Sequence, residues 1–119
     1  MAIKGAVLGD ILGSQYEFNR PKNLDWQNIP LIIDDKAKFT DDSVMMLAIK
    51  KALVEDNDLV ETMVDVGQQY PFCGYGAKFF SWINGKKHQP YNSWGNGSAM
   101  RVAFVGDFYE DYDEMQAMA

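Results

Sequence analysis

The chain has 119 residues, 47% hydrophobic, 24% charged and 13% aromatic, which suits one domain rather than two and excludes wholesale disorder. Eleven Lys and Arg against seventeen Asp and Glu leave a net charge of −6, so no cationic face is expected for nucleic acid. The single cysteine, Cys73, excludes an internal disulfide, and Lys4, Asp10 and Glu17 interrupt the N-terminal apolar segment before a signal peptide can form. With no stretch near the ~18 apolar residues of a membrane span, the composition predicts a cytoplasmic chain without membrane attachment.

The patterning is helical throughout. Residues 2–16 place Ile3, Ala6, Val7, Ile11 and Leu12 on one stripe. Gly5, Gly9 and Gly13 recur every fourth residue within it, and each costs about 1 kcal/mol of helix propensity relative to alanine. Two reasons for them stand side by side: close helix–helix packing, or backbone approach by a ligand. Residues 19–38 read as a long loop, with Leu31-Ile32-Ile33 as a short strand or hydrophobic anchor. A second helix starts at Thr40 or Asp41, capped and acid-rich, with Val44, Leu47, Ala48 and Ala52 as its apolar face.

Asp58 and Glu61 form a capping box for a third helix over 59–69. Pro71, Gly74 and Gly76 break the pattern, and a fourth helix spans 76–83, ended by Asn84-Gly85. Residues 86–97 are a second loop, rich in polar and aromatic groups, and a fifth helix runs from Ser98 to about Val105. Asp111 and Glu114 then cap a helix whose sequence stops soon afterwards, the pattern of an interrupted chain. No internal repeat or strand alternation is present, so the expected fold class is all-α.

Several groups have the composition of chemical sites. Thr40-Asp41-Asp42-Ser43 offers oxygen donors within one turn, which suits either helix capping or a hard cation such as Mg²⁺. Asp10 and Glu17 lie two helical turns apart; Asp10 has apolar neighbours and must be satisfied if it is buried. Gly95-Asn96-Gly97-Ser98 before a helix is either an ordinary turn or an anion-binding one, and Arg101 beyond it is equally suited to a structural ion pair. His88 lacks a second histidine or nearby cysteine and is assigned to loop surface. Asp111-Tyr112-Asp113-Glu114 is read as a solvated cap rather than a metal motif.

Three ordered segments together are more specific than any one alone. Gly9-Asp10-Ile11-Leu12-Gly13 with Tyr16-Glu17, then Phe39-Thr40-Asp41-Asp42-Ser43, then Gly95-Asn96-Gly97-Ser98-Ala99-Met100-Arg101 resemble the ADP-ribosylglycohydrolase family, and Tyr75-Gly76 and Trp82 fit its middle region. The resemblance covers essentially the whole chain. It implies an all-α bundle with two Mg²⁺ or Mn²⁺ ions that releases ADP-ribose from a modified protein side chain or a small ADP-ribosyl compound. By the same resemblance Thr40, Asp41, Asp42 and Glu17 make up the metal site, with Glu17 near the metals on a mobile loop, and Glu17, Asp41 and Asp42 are the catalytic residues. Gly95, Asn96, Gly97 and Ser98 line the substrate pocket, and Asp10 is structural support.

Family members are much longer, and their second half carries an Asp-x-Asp-Thr type motif that has no counterpart here. Residues 1–119 are therefore read as the N-terminal portion of such a domain, inactive by itself. The alternative is a short non-catalytic homologue, acting as a metal- or ADP-ribose-binding module or self-associating through an exposed half-core.

Overall fold

Thr40 begins the helix around which everything else is arranged. Its backbone is extended (φ −118°, ψ −171°) and its hydroxyl accepts from the Asp42 N–H, so α2 (Asp41–Glu55) starts with an N-cap and two acids in its first turn. In the computed structural model, which describes residues 2–17 and 19–119, α1 (Ala2–Glu17) precedes it; α3 (Leu59–Gln69), α4 (Ala77–Asn84), α5 (Val105–Phe108) and α6 (Tyr112–Met118) follow. A single 3₁₀ turn, Val102–Phe104, leads into α5, and there is no strand among the described residues. The all-α expectation holds.

Side-chain caps set most helix ends. Asp58 accepts from the Glu61 N–H at the start of α3, and Asp111 accepts from the Asp113 and Glu114 N–H groups at the start of α6, as the capping boxes predict. The acids after Asp111 therefore belong to a solvated helix start. At the other end of α2, Asp56 adopts the left-handed conformation (φ 53°) and its N–H closes on the Ala52 carbonyl, a C-terminal geometry usually left to glycine or asparagine.

The central helix is buried on more than one side. Val44, Met45 and Ala48 join Cys73 in one core, with Met63, Val66, Tyr75, Phe79 and Met100 packed around it. Met46 turns the other way, onto Ile3 of α1 and Phe104 of the 3₁₀ turn. A helix that serves two cores has no single apolar stripe, which is why the expected face is right at three of its four positions and incomplete. Val44, Ala48 and Ala52 are buried, whereas Leu47 stands 47% exposed and Met45, Met46 and Ile49 are inside as well.

Three other expectations are corrected. Among the described residues no helix packs closely on the glycines of α1, since a Cβ at Gly5, Gly9 or Gly13 would meet nothing within 4 Å. Leu31-Ile32-Ile33 forms no strand and is exposed, the loop being tied to α1 where Gln15 donates to the Ile32 carbonyl (2.9 Å) and Lys38 N–H donates to Ser14 Oγ (3.0 Å). The helix expected over Ser98–Val105 is a turn followed by the 3₁₀ segment. There the Asn96 carbonyl takes N–H groups from both Ala99 and Met100, and two β-branched valines with Gly106 give little helix propensity to carry an α-helix onward. Among the described residues no helix is long and apolar enough to cross a membrane.

The glycine that does permit close approach is Gly67 of α3. A Cβ there would lie 2.8 Å from Ile83 Cδ1 and 3.3 Å from both Cγ atoms, and Ile83 of α4 is 1% exposed. Gly67→Ala is expected to destabilise the protein by about 1–3 kcal/mol through overpacking. Gly9→Ala, which has open space around it, is expected to stabilise it by up to about 1 kcal/mol through helix propensity. Urea denaturation of the two variants checks the contrast in sign.

Candidate active site

Asp10 of α1 resolves the question its apolar neighbours raised. Its Oδ2 accepts from Thr40 N (2.8 Å), Ser43 N (3.3 Å) and Ser43 Oγ (2.5 Å), and its Oδ1 accepts from Thr40 Oγ1 (2.6 Å). A half-buried carboxylate with four donors is satisfied without a cation. It also works as a cap supplied from another helix. The Asp41 N–H goes to the Cys73 carbonyl (2.8 Å), the Asp42 N–H to Thr40 Oγ1 (3.2 Å) and the Ser43 N–H to Asp10. The donors that normally make a helix start attractive to anions are all used. What this corner presents outward is carboxylate.

Asp41 and Asp42 leave that corner toward adjoining cavities. One, about 780 Å³, is lined by Asp42, Asp10, Glu17 and Asn96 together with Gly9 and Gly13. The other, about 660 Å³, is lined by Asp41, Asn96 and Arg101 with the Gly95, Gly97 and Ser98 backbone and several aromatic rings. Both volumes are of small-molecule size. Asn96 lines both, so the Gly-Asn-Gly turn meets the Thr-Asp-Asp corner in space. Gly9 and Gly13 leave α1 bare where it borders the acidic cavity, the position that the ligand-approach reading requires. Thr40 lies beneath the two acids, 7% exposed, and lines neither cavity.

Charge at the corner is poorly compensated. Burial first, then the Asp42 charge, push the Asp41 carboxyl up to about 6, and Glu17 and Asp10 add to the rise. A position at a helix start ordinarily lowers an acid's pKa; here desolvation and neighbouring acids win. Asp42 is raised as well, by burial and then by Asp10, with Asn96 pulling the other way. Among the described residues the one ion pair is Lys51–Glu55, on the far part of α2.

The sequence model of the ADP-ribosylglycohydrolase family matches residues 1–119, from end to end. The chain belongs to the ADP-ribosylglycohydrolase family. That family is hydrolytic, acts on ADP-ribosylated substrates and is generally metal-dependent. No solved structure matches the chain.

The donors suit the ADP-ribosylglycohydrolase cation in kind. Two carboxylates carry uncompensated charge, and the Thr40 hydroxyl, which donates to Asp10 and accepts from Asp42 N–H, keeps one lone pair. These are hard oxygens, as Mg²⁺ and Mn²⁺ prefer. They are also few. Among the described residues no three His, Cys, Asp or Glu side chains are gathered as a metal site, and Glu17, exposed at the end of α1, shares a cavity with Asp42 without joining such a cluster.

Sequence reasoning undervalued the second cavity. Among the described residues Arg101 makes no structural ion pair: its guanidinium lies over Phe79 (5.2 Å to the ring centroid) and its Nη1 meets the Met63 thioether (3.1 Å). Burial works against its charge, while Tyr91 and Asp41 help to hold it. Phe79 stacks on Trp82, and Trp82 donates its indole N–H to the Gln89 carbonyl (3.0 Å). His88 is half-buried and meets Trp82 edge-on at 4.9 Å rather than lying on the loop surface. The aromatic density of residues 86–97 was the available signal.

Two outcomes follow. Asp10→Ala strands the Thr40 and Ser43 donors and is expected to cost about 2–3 kcal/mol in urea denaturation. Asp41 behaves in the opposite sense. Because its folded pKa, about 6, exceeds the ordinary aspartate value of 3.8, its contribution is intact below pH 3.8 and is lost as pH rises through 6. Asp41→Asn should therefore stabilise metal-free protein at pH 7 by about 1 kcal/mol, after allowance for solvent screening. Thermal melts in chelator at pH 7 and below pH 4 check that the gain vanishes in acid.

Proposed function

We propose that this chain binds the ADP-ribosyl group of a modified protein side chain or small ADP-ribosyl compound, and carries the Thr40, Asp41, Asp42 and Glu17 part of a binuclear Mg²⁺ or Mn²⁺ hydrolytic site. The observation that supports it most is the convergence of Glu17, Asp42 and Asn96, from three separate segments, on one cavity. Asp41 and Asp42 would hold the cation, with the remaining Thr40 lone pair beside them. The bound cation supplies orientation of the ribose hydroxyls and acidification of a water molecule.

The chain's own residues supply the rest. Glu17, exposed at the rim of the acidic cavity, takes the proton from the attacking water as general base. Asp41 and Asp42 place negative oxygens where the anomeric carbon gains positive character as the glycosidic bond breaks. Asn96 spans the two cavities and orients the ribose between them. The Gly95–Ser98 backbone lets the adjoining part of the substrate approach closely.

The small donor set favours weak ion retention, and with it binding that outruns turnover. We take residues 1–119 as a portion of such a catalytic domain on that ground. Calorimetry with ADP-ribose in the presence of Mn²⁺ is expected to show binding that Asp42→Asn weakens. Release of ADP-ribose from an ADP-ribosylated arginine or serine peptide, followed by mass spectrometry, is expected to stay at background for residues 1–119 alone. Release that Glu17→Gln leaves unchanged would contradict the assignment of Glu17 as base. Absence of ADP-ribose binding would overturn the proposal.

A further inference from the structure

Arg101 is the anomaly of the second cavity. The chain carries a net charge of −6, yet among the described residues no carboxylate lies within ion-pair distance of this guanidinium. Its Nε is buried and has no hydrogen-bond partner among the described residues. Its Nη1 is spent on a thioether, a weak acceptor. A sequestered guanidinium ordinarily meets a carboxylate or phosphate that uses its fork of donors. Its place over the Phe79 ring, 5.2 Å from the centroid, offsets only part of the desolvation.

The surroundings keep the group in place rather than neutralise it. A Cβ at Gly97 would sit 3.2 Å from Arg101 Nη2, so the bare turn leaves room for the guanidinium. The same turn and Arg101 border one cavity, with Tyr91 and Trp94 exposed along it. The backbone alternative is weaker than the sequence suggests. No α-helix starts at Ser98, and the Ala99 and Met100 N–H groups close the turn on the Asn96 carbonyl. The positive group with donors to spare is the side chain.

We infer that Arg101 is an anion-binding residue that takes the diphosphate of the ADP-ribosyl group in the cavity formed by the Gly95–Ser98 turn and the aromatic rings. This rests on the ADP-ribose-binding reading above and assigns the charge that selects a diphosphate-bearing ligand over a neutral nucleoside. Asp41 borders the same cavity, so the anion lies between a fixed cation on one side and the acidic corner on the other. That arrangement sets which end of the ligand points toward Asp41 and Asp42.

Calorimetry of ADP-ribose and adenosine against wild type, Arg101→Met, Arg101→Lys and Gly97→Ala tests it, with circular dichroism confirming helix content in each variant. Arg101→Met keeps an unbranched chain over Phe79 and is expected to lose at least about tenfold in ADP-ribose affinity with no matching loss for adenosine. Arg101→Lys should retain an intermediate affinity, and raised salt should weaken ADP-ribose binding to wild type more than to Arg101→Met. Gly97→Ala, which keeps the charge but crowds Nη2, should cost several-fold. Wild type that binds ADP-ribose no more tightly than a well-folded Arg101→Met overturns the inference and leaves the binding reading intact. Equal losses for ADP-ribose and adenosine assign Arg101 a structural role and also overturn it. Wild type that binds no ADP-ribose removes the reading itself, and the inference with it.

Discussion

Everything at the site depends on one carboxylate that faces inward. Asp10 accepts from both the backbone and the hydroxyl of Thr40 and of Ser43, and so joins the middle of α1 to the first turn of α2. Hydrogen bonds to a charged acceptor are among the stronger ones available to a protein, at about 1.5–3 kcal/mol each before neighbours are counted. With these, and with the Asp41 N–H on the Cys73 carbonyl, the helix start is closed. The two acids that follow Thr40 have no part in capping and are left facing cavities. Thr40, Ser43 and Asp10 thus hold the corner, and the Asp41 and Asp42 carboxylates stay outside its capping bonds.

That division has an energetic cost, and the cost is informative. Asp41 is pushed up to about 6 because burial, Asp42, Glu17 and Asp10 all oppose its charge. A fold selected only for stability would place a lysine there or a neutral side chain. The second cavity, which Asp41 also borders, contains the opposite sign: Arg101 is held over Phe79 without an ion-pair partner among the described residues. Each cavity contains a charge that the protein itself leaves unmatched. Such a pair suits a ligand that brings a cation-binding sugar at one end and an anion at the other.

Much of this was legible in the sequence because caps are local. Thr40, Asp58 and Asp111 each bond N–H groups two or three residues ahead, so helix starts could be placed without knowledge of the tertiary fold. The three motifs that bring Glu17, Asp41, Asp42 and the Gly95–Ser98 turn together were likewise readable as an ordered set. What could not be read depends on partners distant in the chain. The donors that satisfy Asp10 lie thirty and thirty-three residues away. Leu47 is exposed because α2 serves two cores, Met45 in one and Met46 in the other, and a single-stripe rule does not allow for that. The segment after Ser98 has helix-like spacing, but the Asn96 carbonyl draws two N–H groups into a turn first. Arg101 was equally suited to a structural ion pair from its place in the sequence; its company of aromatic rings and a thioether is a tertiary fact.

The central claim is that the corner built on Asp10 is where a divalent cation and an ADP-ribosyl ligand meet. A crystal structure of the chain with ADP-ribose and Mn²⁺, read by anomalous scattering, tests it most directly. A manganese peak is expected at ordinary oxygen-ligand distance, roughly 2.0–2.4 Å, from the Asp41 or Asp42 carboxylate. Ribose is expected beside Asn96, with the Asp10 hydrogen bonds to Thr40 and Ser43 unchanged. Manganese bound away from both acids, or ADP-ribose seated on a face that does not include Asn96, would contradict it.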